Sequence, residues 1–166
     1  MTNKNRGLKA ITVGVLSRLL QNIAYFAFPY QLVVLLHKIR GVKVGKGSHI
    51  SRYVIIDDQV SAKVIIEEGV AVTQGVMILT HQRDLKDLRP GMSIMSLDLK
   101  HLNVLIKRNA HIGIGAIIMP GVTIGEGSII GAGAVVIKDI PDNVLSLGVP
   151  AVIIKENYSN DKLYSK

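Results

Sequence analysis

The segment ILTHQRD (Ile78–Asp84) puts a histidine where a regular sequence pattern breaks off. Imidazole ionises near pH 6.5, so a positioned histidine can take up and return a proton at neutral pH. Other groups suited to covalent or metal chemistry are scarce. There is no cysteine, hence no thiolate nucleophile, disulfide or cysteine zinc site. No serine stands in an evident arrangement with a base that would activate it. His37, His49 and His101 carry no motif, although His101 sits where the pattern is about to resume. His111 directly precedes an inward isoleucine and so points outward. A lone histidine is more often structural than catalytic, and position is what separates His81 from the rest.

The pattern is a ladder of period six. Ile106, Ile112, Ile118, Ile124, Ile130 and Val136 hold its rungs, and Ala110, Ala116, Val122, Ser128 and Ala134 follow four places later. This period fits neither an α-helix at 3.6 residues nor an ordinary strand at 2. It suits a solenoid of short flat strands joined by tight corners. The large aliphatic points into the stack, the small residue fills the space near the turn, and glycines such as Gly113 allow the bend. The register begins with Val44, Ile50 and Ile56. After a four-residue insertion, read as a bulged corner around Gln59–Lys63, it resumes with Ile66, Val72 and Ile78. It then stops from Thr80 to about Asn103, a charged stretch with Pro90-Gly91, Met92 and Met95. Loops this long inside a compact domain are usually functional. Asn143–Lys155 reads as a closing strand pair, and the polar residues from Glu156 as a frayed tail.

At 166 residues the chain supports one domain with a small appendage. Hydrophobic residues make up 48% but aromatics only 4%, as a core of stacked Ile and Val requires. The net charge of +8 lies wholly in the N-terminal part, where no acidic residue precedes Asp57. Beyond Lys46 the basic and acidic residues balance, so the solenoid presents no basic stripe for nucleic acid. Residues 1–41 are basic and apolar and read as two helices broken near Pro29. The apolar run Ile23–Tyr30 is too short to span a bilayer, and no cleavage site marks a signal peptide. Cationic flanks with Tyr25, Phe26, Phe28 and Tyr30 suit a helix lying in an anionic membrane interface. The alternative is a helix packed on the first coil or on a neighbouring subunit. The expected location is cytoplasmic, peripheral at the inner face of the cytoplasmic membrane.

The stretch HIGIGAIIMPGVTIGEGSIIGAGAVVIKDIP (His111–Pro141), followed by GVPAVIIK (Gly148–Lys155), resembles the hexapeptide-repeat acyltransferases. Their galactoside/maltose O-acetyltransferase-like branch, which includes enzymes acetylating capsule and O-antigen sugars, is the nearest match. The resemblance covers residues 44–155 and implies an all-β fold, a left-handed parallel β-helix with three strands per coil. That hand is notable because parallel crossovers are otherwise almost always right-handed. The implied organisation is a helical segment over 1–41, a β-helix over 42–155 with its loop at 80–103, and a tail over 156–166. The implied activity is acetyl-CoA-dependent O-acetylation of a sugar hydroxyl in surface polysaccharide synthesis, without a metal, by a homotrimer whose sites lie between subunits. Direct attack by the acceptor is expected, with backbone N–H groups at a corner stabilising the oxyanion.

By position in the motifs, the resemblance makes His81 the general base and Asp58, in the IIDD run, an acceptor contact. Ala132, Ile137, Lys138 and Lys155 become cofactor contacts, the two lysines toward nucleotide phosphates. Ile137 stands where the family has threonine, which removes a hydroxyl but leaves a backbone contact, and Ile114 replaces a serine found in some relatives. The carboxylate that orients His81 is not identified; Asp84 and Asp87 are near it in sequence only. Amino-sugar N-acetyltransferases and serine O-acetyltransferases share the scaffold, although the latter carry a larger helical N-terminal domain. A γ-carbonic anhydrase would need three histidine ligands; His81, His101 and His111 supply the number without the family's closely spaced pair. A purely structural β-helix subunit is the remaining class.

Overall fold

The computed structural model describes residues 3–26, 29–57 and 62–156. Two helices precede the solenoid, α1 (Asn3–Phe26) and α2 (Tyr30–Ile39). Pro29 stands in extended conformation at the N-cap of α2, as its effect on the preceding residue requires. At the other end the chain leaves α2 through Gly41, whose φ of +100° is open to glycine at no steric cost. Val33, Leu36 and His37 are buried, the i, i+3, i+4 face of α2. Val33 and Leu36, with Ala24 of α1, join the hydrophobic core of the solenoid. The helices therefore cap its first coil.

Each coil contributes three strands of two or three residues. The first holds β1 (Lys43–Val44), β2 (His49–Ile50) and β3 (Ile55–Ile56); the second β4 (Val64–Ile66), β5 (Ala71–Val72) and β6 (Met77–Ile78). The excursion follows as β7 (His81–Arg83) and β8 (Leu99–His101). Two further coils hold β9 (Val104–Ile106), β10 (His111–Ile112) and β11 (Ile117–Ile118), then β12 (Thr123–Ile124), β13 (Ile129–Ile130) and β14 (Val135–Val136). The chain closes with β15 (Val144–Leu147) and β16 (Val152–Glu156), an antiparallel pair. Equivalent strands stack in parallel into three faces, β1-β4-β9-β12, β2-β5-β10-β13-β15 and β3-β6-β11-β14. This is the left-handed β-helix that the repeat implies.

Strands this short owe their stability to the stack. The ladder residues Ile50, Ile56, Ile66, Val72, Ile78, Ile106, Ile112, Ile118, Ile124, Ile130 and Val136 are completely or almost completely buried, and so are Ala110, Ala116 and Ala134 near the corners. Each buried Ile or Val contributes about 1.5–3 kcal/mol relative to exposure. Coil-to-coil hydrogen bonds fix the register, for example Gly45 N–H to Ile66 O at 2.8 Å and His111 N–H to Ser128 O at 2.9 Å. At Gly113 the next coil is so close that a Cβ would lie 2.6 Å from the Ala132 nitrogen, which is why glycine follows that rung.

The excursion is an ordered hairpin at its base, with β7 and β8 antiparallel and His81 directly opposite His101. The insertion corner lies mostly outside the described residues, which stop at Asp57 and resume at Ala62; beyond it, Lys63 N–H donates to Asn103 Oδ1 at 2.8 Å. The tail from residue 157 likewise lies outside them. Because the core is a single stacked column, Ile118→Ala is expected to cost about 2–5 kcal/mol, whereas Leu85→Ala on the exposed excursion stays within about 0.5 kcal/mol. Urea unfolding of the two variants checks this.

Candidate active site

The register of the third face builds the site. Ile55 pairs with Met77 and Ile56 with Ile78, so the residues leaving β3 and β6 meet at one corner. Asp57 follows β3, anchored by its N–H to Ile78 O at 3.0 Å. Its Oδ2 accepts hydrogen bonds from Thr80 N–H at 3.0 Å and Thr80 Oγ1 at 3.3 Å, and contacts Nδ1 of His81. The Asp57 side chain is 17% exposed and that of His81 45%. A carboxylate beside Nδ1 holds the proton on that nitrogen and leaves Nε2 unprotonated, able to accept a proton from a group outside. His101 stands across the hairpin, the two imidazole centroids 6.1 Å apart.

Beneath this corner Arg40 ties the helical cap to the coil. Its Nε donates to Ser17 O at 2.9 Å, Nη1 to Gln21 Oε1 at 2.6 Å, and Nη2 to Ile56 O at 2.8 Å. Gln21 in turn donates to Val54 O at 3.0 Å and accepts from Ile56 N–H at 3.3 Å. Nη1 of Arg40 also lies 3.0 Å from His37 Nδ1. A guanidinium is always charged, so this imidazole nitrogen is the acceptor and the His37 proton sits on Nε2. That atom is buried and finds no hydrogen-bond partner among the described residues. Burial, with the neighbouring Arg40 adding to it, pushes the His37 pKa down to about 3.

A cavity of about 490 Å³ opens over His81, walled by Ser17, Arg18, Gln21 and Asn22 of α1 and by Leu99 and His101 of the hairpin, with Arg40 and Asp57 also lining it. A second, more apolar groove of about 750 Å³ runs along the β10–β13 face, lined among others by Thr73, His111, Gly113, Ile114, Ala132 and Leu147. The two share no lining residue.

Of the sequence-derived candidates, His81 and Ala132 line these places. His81 is in the first cavity. Asp58 lies outside the described residues. The carboxylate on His81 is its neighbour Asp57. Asp84 instead pairs with Lys100 at 2.7 Å and caps a helical turn through Lys86 N–H; the Lys100 hydrogen bond is the main cause holding its pKa below the usual carboxylate range. Asp87 sits in that same turn. Ala132 lines the groove. Ile137 and Lys138 follow β14, which stacks over β11 and β6, so they share an edge with Thr80 two strands away, about 10 Å along. Lys155 lies on β16 opposite Leu145. His111 faces the groove, so the three histidines weighed as zinc ligands do not converge within the chain. His101, noted from sequence only for its place at the loop's return, lines the same cavity as His81. Asp57, Arg40 and Gln21 were not singled out from sequence; the one usable signal was the ladder register, which puts Asp57 immediately after the inward Ile56.

Comparison with known proteins bears on the scaffold that carries this site. The family model "Bacterial transferase hexapeptide (six repeats)" matches residues 103–138. The galactoside O-acetyltransferase of Escherichia coli K12 is 51% identical over 61 residues, 37% of this chain and 30% of that protein. A serine acetyltransferase of Buchnera aphidicola is 30% identical over 162 residues, 97% of this chain and 59% of that protein. A solved galactoside acetyltransferase in complex with coenzyme A superposes with a TM-score of 0.67 at 26% identity, covering 95% of this chain and 86% of that one. The match to the curated galactoside enzymes spans about a third of their length.

The buried His37 makes the cap sensitive to acid. Above its ordinary value of 6.5 the side chain is neutral whether folded or not; between 6.5 and about 3 only the unfolded state takes up the proton. Stability therefore falls as pH falls through that window, by up to about 1.4 kcal/mol per pH unit from this group. Urea titrations at pH 7, 6 and 5 are expected to show a shallower slope for His37→Gln than for the natural chain. Equal slopes would contradict this account.

Proposed function

Because the chain is a hexapeptide-repeat protein related to the galactoside and maltose O-acetyltransferases, we propose that it transfers an acetyl group from acetyl-CoA to a hydroxyl of a sugar acceptor. The observation that carries this reading is the Asp57–His81 pair at the mouth of a cavity. His81 Nε2 takes the acceptor's hydroxyl proton as that oxygen bonds to the acyl carbon. Asp57, accepting from Nδ1–H, keeps the ring in the working tautomer and offsets the charge of the imidazolium. The proton then passes from His81 to sulfur as the C–S bond breaks. The thioester supplies the activated acyl group; the chain supplies a base, its orientation and an enclosed acceptor site.

The groove beside Gly113, Gly131 and Ala132 has a floor of small residues that leaves room for an extended chain such as pantetheine against the backbone. Ile137 and Lys138 would hold the same molecule along the edge they share with Thr80, and Lys155 its phosphates. Ala132 and the Ile137–Lys138 pair lie after different strands, so one bound molecule would touch both most simply between two subunits. This supports a homotrimer with sites at its interfaces.

Surface polysaccharide synthesis is the pathway class we infer, at the cytoplasmic face of the membrane. Leu16, Leu19, Ile23 and Phe26 form an exposed apolar stripe on α1, and Leu35 and Ile39 are exposed on α2, within the basic N-terminal segment. Among the described residues no helix is long and apolar enough to cross a membrane. A stripe of this kind suits an interfacial contact with anionic lipid. Because α1 also walls the cavity, Leu19→Glu with Ile23→Glu tests the contact better than truncation does. Loss of co-sedimentation with anionic vesicles is the expected result.

A second reading has its own support. The match to serine acetyltransferase runs over 97% of the chain, helical segment included, which favours an amino-acid hydroxyl as acceptor. A thiol-release assay with acetyl-CoA, run against a sugar panel and L-serine, separates the two. Under either acceptor, His81→Ala and Asp57→Asn are expected to lower kcat by on the order of 10²–10⁴-fold with the fold retained. Undiminished activity in His81→Ala would overturn the mechanism.

A further inference from the structure

The acceptor cavity is walled on one side by a single helix, and the orientation of that helix is fixed. Ser17 and Gln21 form its inward row. Arg40 donates to both residues, and Gln21 also bonds the backbone at Val54 and Ile56. With that row clamped, the adjacent row at the same i, i+4 spacing, Arg18 and Asn22, is turned to the cavity. Arg18 is exposed there and makes no hydrogen bond or ion pair to another described residue. Arg40 is different: it is buried and its donors are spent on the cap and the coil. Among the described residues Asp57 is the only carboxylate lining the cavity, and it is engaged by His81 and Thr80. The hairpin side adds Leu99 and a histidine. Among the described residues the cavity thus presents one guanidinium with open donors, two amides and no uncommitted acid. The basic excess of the chain lies in the same N-terminal segment, a field that draws anions toward this end.

We propose that the acceptor is acidic, a glycan whose carboxylate or phosphate is held by Arg18 while a nearby hydroxyl meets His81. The proposal rests on the sugar-transfer reading above and deepens it. The planar fork of a guanidinium pairs with either anion through two parallel hydrogen bonds. Asn22, one turn along the same row, would donate to a neighbouring ring hydroxyl.

The test measures thiol release from acetyl-CoA with matched acceptors: the methyl glycosides of glucose and glucuronic acid, those of galactose and galacturonic acid, and glucose 1-phosphate. The full chain is expected to prefer the acidic member of a pair by about 10–100-fold in kcat/KM, as a charge-assisted contact implies, and the preference should shrink as salt is raised. Arg18→Gln should bring that ratio close to one. Arg18→Glu should turn it toward the methyl glycoside of glucosamine. The uronate and phosphate arms show which anion the site takes. A ratio near one in the natural chain, or one that Arg18→Gln leaves unchanged, overturns this inference while leaving acetyl transfer standing. Thiol release with L-serine alone, or with no acceptor, overturns the sugar-transfer reading and this inference with it.

Discussion

Each rung of the ladder buries a branched aliphatic in a column only one side chain wide per face, so no coil can slip without exposing its whole inward row. This register is the constraint on which the site depends. Ile56 over Ile78 is a packing contact, yet its consequence is chemical, because the next residue on one coil is Asp57 and the third residue on is His81. Two side chains separated by an insertion in sequence are brought into hydrogen-bonding contact by aliphatic stacking. A one-residue shift would reverse inward and outward positions and pull the pair apart.

The helical cap depends on the same column. Val33 and Leu36 close its open end, which would otherwise leave the first coil's aliphatics against water. The cost of this closure is a buried guanidinium, offset by hydrogen bonds to backbone carbonyls, an amide and an imidazole. A cationic donor is shared between the cap and the carbonyl just before Asp57, so the seating of the helices and the position of that carboxylate are tied through one side chain. His37 belongs to the same arrangement, and its neutrality is the condition on which Arg40 can sit beside it. The cap thus has two roles: it seals the core, and it forms one wall of the site.

The cavity and the groove lie at different edges of a three-sided column. A rigid prism cannot fold one edge onto another, which is the geometric reason the proposed reaction calls for a second copy of the chain. The apolar surface along the groove, including Ile114, Leu147 and the residues of β16, has the character of a surface made to be covered.

Much of this was legible from residues alone. The six-residue period determined the solenoid, its inward row and the point of interruption, because burial in a stacked column repeats along the chain and so leaves a one-dimensional trace. That interruption, read with the hexapeptide motif, singled out His81. The partner of His81 was not legible: IIDD offers two aspartates, and only the seating of β3 on β6 decides that the first one makes the contact. Nor could the sequence show that Arg40 reaches Ser17, Gln21 and Ile56, or that Arg18 turns to the cavity. Those facts follow from how two helices dock on the end of a column. Docking is set by side-chain packing across distant segments, which no local period encodes. The sequence by itself determined the scaffold and pointed to His81; the tertiary structure decided what holds that imidazole and what faces it.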